Sequence, residues 1–244
     1  MNGFFITGTG TEVGKTVVTA LLTLGLNHKG IRCYPVKPVA SGGVWIEGEL
    51  ISDDAVQYQR LAKLSEPLKQ LNPFCLEYPA SPHFAAEWAN TVIPVQQLID
   101  ETKTTAERYD AVLIEGAGGW LVPLQDKVLM RDMAREFGLP IIVVAANVLG
   151  TINHTLLTVE SIRQSGQTVA GVIFTDSTAD GDPQIAKNNI QTIIHTAEVR
   201  FLGTIPLIPQ PVLEEPDSNQ LWHCIKDNIE WNSLTRLLHT TGNS

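Results

Sequence analysis

Apolar positions along the chain follow two spacings that take turns. Phe4-Phe5-Ile6 is a short bulky run that stops at Thr7-Gly8, as a buried strand does. A second strand is expected over Arg32 to Val36, and similar runs recur at Ala111 to Ile114, Ile141 to Ala145, Val169 to Phe174 and Leu202 to Ile205. Runs that are continuous instead of alternating suit parallel strands covered on both faces. Helical spacing lies between them. Thr16 to His28 is apolar on most faces and closes on Lys29-Gly30, a cationic last turn followed by a glycine cap. Ile152, Leu156, Val159 and Ile162 share one helix face, as do Ile190, Ile193, Ile194 and Ala197. Strand and helix in alternation predict an α/β fold: a doubly wound, mostly parallel sheet flanked by helices.

The interval 38–109 breaks that rhythm. Helices are expected over Asp53 to Leu64 and near Pro94 to Glu107, but no convincing strand, and an insertion this long in a compact domain is usually functional. Pro206 to Pro216 carries four prolines and reads as a stiff loop. One domain over 1–244 is expected, with a frayed tail at 240–244.

Composition narrows the setting. Seventeen Lys and Arg against 26 Asp and Glu leave a net charge of −9 over 244 residues. A nucleic-acid-coating protein needs a broad cationic face, so none is expected as a partner. The longest apolar run, Ile141 to Ala146, is too short to span a bilayer, and the opening MNGFFITGTG lacks the features of a signal peptide. Cys33, Cys75 and Cys224 are scattered and odd in number, which reads as reduced thiols in a cytoplasmic protein.

The strongest local signal is Gly8-Thr9-Gly10-Thr11-Glu12-Val13-Gly14-Lys15-Thr16, which follows a strand and opens a helix. In such a loop the glycines let backbone N–H groups converge on phosphate oxygens. The helix N-terminus adds positive potential, Lys15 neutralises charge, and the Thr16 hydroxyl is offered to Mg²⁺. The usual spacing wants glycine at position 9, where this chain has Thr, so the loop is one residue longer. A dinucleotide fingerprint fails because its third glycine falls on Val13. Lys37 ends the second strand before Pro38, on the side where open α/β sheets bind ligands. Asp53 and Asp54 open a helix, where a cap is the plain alternative. Glu115 ends an apolar strand ahead of Gly116-Ala117-Gly118-Gly119, the arrangement of a magnesium-holding acid. No H-E-x-x-H or G-x-S-x-G pattern is present, so zinc or serine hydrolysis is not expected.

In these pieces the chain resembles the dethiobiotin synthetase family of P-loop NTPase-like enzymes. The resemblance runs through the phosphate loop, Tyr34-Pro35-Val36-Lys37-Pro38-Val39-Ala40-Ser41-Gly42, Ser52-Asp53-Asp54-Ala55, Asn72-Pro73, Ser81-Pro82-His83 and Glu115 to Trp120. It continues through Leu149 to His154 and Gly203 to Pro206, in family order over most of the chain. It implies an ATP- and Mg²⁺-dependent cyclo-ligase of biotin biosynthesis. 7,8-Diaminononanoate takes up CO₂ as a carbamate, ATP phosphorylates it, and the second amine closes a cyclic urea. By the same resemblance Lys15 and Lys37 are catalytic, and Thr16, Asp54 and Glu115 hold the metal. Glu12, Val13, Gly14, Lys15, Thr16 and Val17 line the phosphates with Gly116, Ala117 and Gly118. Thr175, Asp176, Thr204, Ile205, Pro206 and Pro211 attend the base. Ser41 touches the diamine, and Gly150 and Asn153 face its carboxylate across a homodimer interface.

One departure stands out. Thr175-Asp176 replaces the Asn-Asp that the family often carries, and Thr offers one hydroxyl where Asn offers a donor and an acceptor. Weaker base recognition by side chain is expected, with the Pro206 to Pro211 loop carrying more of it. The rival from another class is a nucleotide-switch ATPase of the partition and cell-division kind. Those proteins carry a second lysine five residues before the invariant one, and that position here is Gly10. Another ligase on this scaffold, of the amidotransferase type, is a nearer rival, but 244 residues leave no room for its glutaminase domain.

Overall fold

In the computed structural model, residues 1–176 and 182–241 are described, the side chains of 240 and 241 excepted. The chain opens with β1 (Gly3–Gly8), α1 (Lys15–His28) and β2 (Cys33–Val36). The insertion follows as β3 (Val39–Ser41), β4 (Val44–Ile46), β5 (Glu49–Ile51), α2 (Asp53–Ala62), α3 (Leu68–Leu71), β6 (Phe74–Leu76), α4 (Pro82–Trp88) and α5 (Val95–Ala106). The α/β rhythm then resumes with β7 (Ala111–Gly119), α6 (Met130–Phe137), β8 (Ile141–Ala146), α7 (Thr151–Gln164), β9 (Val169–Thr175), α8 (Pro183–Ala197) and β10 (Phe201–Ile205). Three helices complete the described chain: α9 (Gln210–Glu214), α10 (Ser218–Ile225) and α11 (Trp231–Thr241).

Six strands form one sheet in the order β10-β9-β8-β1-β7-β2. Every pairing within it is parallel. β1 lies at its centre, and β1, β2 and β8 are buried along their whole length, as runs covered on both faces require. The chain passes from β1 outward to β2 and later returns to β8 on the other side of β1. The crevice at the carboxyl ends of β1, β7 and β8 is therefore the topological switch point, where such sheets bind ligands.

The insertion departs from expectation by containing four short strands. β3 pairs in parallel with β6, and β4 pairs with β5 as a hairpin. The hairpin turn is Glu47-Gly48, both residues at positive φ (51° and 83°), as a two-residue primed turn demands. Strands of three residues are too short to show a period. The proline-rich segment also differs, because α9 forms within it with Pro209 as its cap residue and Pro211 in its first turn, positions proline tolerates. Helix α11 continues to Thr241, and the rest of the expected tail, 242–244, lies outside the described residues. No helix among the described residues is long and apolar enough to cross a membrane.

Candidate active site

The phosphate loop links β1 to α1. Thr9 extends the strand pairing, its N–H donating to the Val144 carbonyl at 3.0 Å. A Cβ on Gly8 would lie 2.6 Å from a Val13 methyl and 3.1 Å from Lys15 Cδ, so only glycine allows the loop to fold back there. The tight glycine of the loop thus stands one residue earlier than in the usual spacing. At its other end Gly14 (φ +87°) caps α1 in the left-handed region, with the Thr175 methyl 3.1 Å from where its Cβ would be. The Thr175 hydroxyl donates to the Val13 carbonyl at 2.9 Å. The residue expected to read a base is thereby also a brace for the phosphate loop.

Five charged or polar groups from four elements meet beneath this loop. Lys15, at the start of α1, is buried and donates through Nζ to the Gly10 carbonyl at 2.9 Å. Thr16 donates to Asp54 Oδ1 (2.6 Å) and lies 3.1 Å from Glu115 Oε1. Lys37 Nζ bridges the same two carboxylates, 2.8 Å from Asp54 Oδ1 and 3.0 Å from Glu115 Oε1. Its peptide is pinned on both sides: the Lys37 N–H donates to the Leu71 carbonyl, and Asn72 Nδ2 donates to the Lys37 carbonyl at 2.7 Å. Glu115 is fully buried on β7. Its other oxygen, Oε2, accepts the Tyr58 hydroxyl at 2.5 Å.

Asp54 is free for this work because Ser52 caps α2, accepting the Ala55 N–H at 3.2 Å. The cap alternative for Asp53-Asp54 is thereby corrected, and Asp53 is exposed and bonded to Gln57.

Electrostatics follow from burial. Desolvation works against charge on Lys37, yet the carboxylates of Glu115 and Asp54 hold its pKa above the ordinary lysine range. Lys15 shifts the opposite way: burial lowers its pKa and the Lys37 charge adds to this, while Glu115 and Asp54 oppose it. Burial, then the charges of Glu115 and Asp54, push the Tyr58 phenol well up, so it stays a neutral donor. The formal charges of Lys15, Lys37, Asp54 and Glu115 cancel. A triphosphate entering here would bring a surplus of negative charge that the four do not neutralise.

These groups line a cleft of about 690 Å³ together with Thr11, Glu12, Gly14, Val17, Ala117, Gly118 and Val122. Its far wall is Ser41 and the Pro79 to Pro82 segment, joined by a hydrogen bond from the Ser41 hydroxyl to the Ala80 carbonyl at 2.6 Å. Val13 and Gly116 complete the phosphate loop and the β7 backbone beside it. At Gly116 a Cβ would crowd Met130 and Phe5 at 3.1 Å.

The remaining expected residues lie outside this cleft. Asp176 follows β9 and donates its N–H to the Ile205 carbonyl, which places Thr175, Asp176, Thr204 and Ile205 at adjacent carboxyl ends of β9 and β10, with Pro206 next and Pro211 in α9. Gly150 (φ +90°) caps α7 and Asn153 is exposed in its first turn. Neither lines the cleft of the single chain. No group of three His, Cys, Asp or Glu among the described residues forms a cation site. The candidate set is two carboxylates and a hydroxyl. Such a set fits a hard cation that completes its shell with phosphate and water oxygens. That Lys37 already bridges both acids shows that the position favours positive charge.

Tyr58, Asn72 and Ser52 were not singled out for these roles from sequence. A signal existed for the first: Tyr58 lies four residues after Asp54, so an α2 helix must present both on one face.

Glu115, expected to end its strand, instead lies midway along β7, which runs on through the glycines to Gly119. A six-stranded parallel sheet with a lysine-bearing phosphate loop and a buried acid on β7 defines a P-loop nucleotide enzyme. The family model that matches, described as an AAA domain, covers residues 2–215. The chain is 39% identical to the ATP-dependent dethiobiotin synthetase BioD of Halalkalibacterium halodurans over 93% of each chain. It is also 39% identical to that of Anoxybacillus flavithermus, over 84% of this chain and 92% of the relative, and 37% identical to that of Aromatoleum aromaticum, over 83% and 89%. The chain belongs to the ATP-dependent dethiobiotin synthetase family, a family of ligases on the P-loop scaffold. Among solved structures it resembles the cell-division ATPase MinD of Pyrococcus furiosus (TM-score 0.56, 13% identity, 99% of each chain). It also resembles the MinC:MinD complex of Aquifex aeolicus (TM-score 0.55, 13% identity, 100% and 97%). At that identity the likeness is one of fold.

Proposed function

We propose that this protein closes the cyclic urea of dethiobiotin from 7,8-diaminononanoate, CO₂ and ATP. The observation that carries the reading is the convergence of Lys15, from the start of α1, and Lys37, just past β2, on one cleft that also holds Thr16, Asp54, Glu115 and Ser41. Mg²⁺ held by Thr16, Asp54 and Glu115 would offset charge on the polyphosphate.

The chain's own groups do the rest. Backbone N–H groups of Gly14 to Val17 at the start of α1 receive the phosphates. Lys15 faces the bridging and terminal phosphoryl oxygens. Lys37, kept charged by its two carboxylates, holds the anionic carbamate beside the γ-phosphoryl group, where two anions would otherwise repel. A carbamate oxygen then bonds to the γ-phosphorus as the bond to ADP breaks. The second amine attacks the carbamoyl carbon, phosphate leaves with the C–O electron pair, and the amine sheds its proton to phosphate or water. The Ser41 hydroxyl, its O–H already donating to the Ala80 carbonyl, keeps lone pairs for an N–H of the diamine.

The substrate's carboxylate is assigned to Gly150 and Asn153 of a second copy. The apolar surface beside them supports a homodimer: Leu149 is fully exposed and Leu157 is 55% exposed. The free thiols Cys33, Cys75 and Cys224 suit a cytoplasmic enzyme. The test is direct. Purified protein mixed with diaminononanoate, bicarbonate, Mg²⁺ and ATP yields the cyclic urea by mass. ATP consumption that ignores the diamine would revive the switch-ATPase reading.

A further inference from the structure

The carboxylate of Glu115 has two oxygens with separate tasks. Oε1 faces the cleft, where it meets Lys37 Nζ at 3.0 Å and Thr16 Oγ1 at 3.1 Å. Oε2 points away and accepts the Tyr58 hydroxyl. Glu115 and Tyr58 are both fully buried, so water does not replace that donor. No other side chain among the described residues donates to Oε2. One phenol thus ties α2 to β7 behind the cleft.

The source of this tie is local. Helix α2 begins at its Ser52 cap, so Asp54 and Tyr58, four residues apart, rise on the same face one turn from each other. The first delivers a carboxylate to the front of the cation position. The second reaches the rear of the opposing carboxylate. A glutamate has three side-chain torsions, and a buried oxygen without a donor drives the group to rotate until both oxygens find partners. In this cleft the available partners are Lys37 and Thr16. A Glu115 released from Tyr58 would turn both oxygens toward them and occupy the space intended for the cation.

The geometry points to Tyr58 as a positioning residue that fixes which oxygen of Glu115 faces the metal and nucleotide. This assignment rests on the metal–nucleotide reading of the cleft given above. It is separable from it, because Tyr58 itself meets neither substrate nor metal.

The test compares wild type with Tyr58→Phe, which removes one oxygen and keeps the ring that fills the core. Mg²⁺ is titrated in turnover assays at saturating ATP and diamine, and Mn²⁺ binding in the presence of ADP is measured by electron paramagnetic resonance without turnover. The expected result is an increase of about tenfold in the half-saturating Mg²⁺ and in the Mn²⁺ dissociation constant, with kcat at saturating Mg²⁺ within a few-fold of wild type. Leu61→Val, on the same buried face of α2 further from the cleft, supplies a loss of packing without touching Glu115. Unchanged metal titrations in Tyr58→Phe, or equal shifts in Leu61→Val, overturn the assignment while leaving the cleft's function intact. A wild-type protein that binds no Mn²⁺ with ADP overturns the metal–nucleotide reading itself.

Discussion

The two ends of α1 are built on opposite rules. Its N-terminal end is polar: Thr16 donates to Asp54 at 2.6 Å and lies 3.1 Å from Glu115, Lys15 donates to the Gly10 carbonyl at 2.9 Å, and Thr19 donates to the Lys15 carbonyl at 2.9 Å. Its C-terminal end is apolar and close-packed. A Cβ on Gly25 would lie 2.0 Å from Cη2 of Trp231, so the α11 indole rests directly on the helix backbone. Trp222 of α10 adjoins it with ring centroids 5.5 Å apart, and Lys29 Nζ stands 5.9 Å from both rings. At the first end, buried polar groups are tolerated because each has an ion-pair or hydrogen-bond partner. At the second, burial needs no partners and stabilises through contact and excluded water. One helix therefore carries chemistry at its start and anchorage at its finish. Substitutions at the two ends should fail in different ways.

The largest effect belongs to the polar end. Lys37→Ala and Lys15→Ala are each expected to lower kcat by about a thousandfold, with a native circular dichroism spectrum. Near-normal turnover in either would remove that lysine from the catalytic set.

At the apolar end, Gly25→Ala forces the Trp231 indole off the helix. The expected cost is about 1–3 kcal/mol of stability, read from urea midpoints, with kcat nearly unchanged at temperatures where the protein is folded. A loss of kcat without a loss of stability would erase the contrast between the ends.

Asp54→Asn keeps the shape but removes charge at the cation position. The half-saturating Mg²⁺ is expected to rise about tenfold, and an unchanged titration would reduce Asp54 to a helix-start acid.

The smallest effect is expected at the rim. Thr175→Asn adds an amide toward the base but removes the hydroxyl that braces Val13, so the ratio of kcat/KM for ATP over GTP rises a few-fold while KM for both nucleotides rises. An identical ATP-to-GTP ratio in the two proteins counts against a role for position 175 in base choice.

Much of the architecture was legible because its signals are local. The runs at Phe4 to Ile6, Ile141 to Ala145 and Val169 to Phe174 became β1, β8 and β9 within a residue or two. Gly8 to Thr16 announced a phosphate loop because strand, glycines, lysine and helix follow one another without a break. The insertion was less legible. β3 and β6 are three residues each and pair across more than thirty positions, so neither carries a period of its own. Tyr58 illustrates the same limit at the site. Its apolar ring suits a core helix face, and the hydroxyl's task depends on Glu115, 57 positions later.

From its residues alone, the chain determined a parallel α/β sheet, a phosphate loop at the end of the first strand, and two lysines and two acids as candidates for the chemistry beside it. Those follow from periodicity and from the backbone limits of glycine and proline, which act over a few residues. Tertiary structure decided which partners those charges would have. Lys37 became a bridge between Asp54 and Glu115, Thr175 became a brace for Val13, and Glu115 acquired a front and a back. A buried charge takes its character from the groups folded around it, and those arrive from distant parts of the chain.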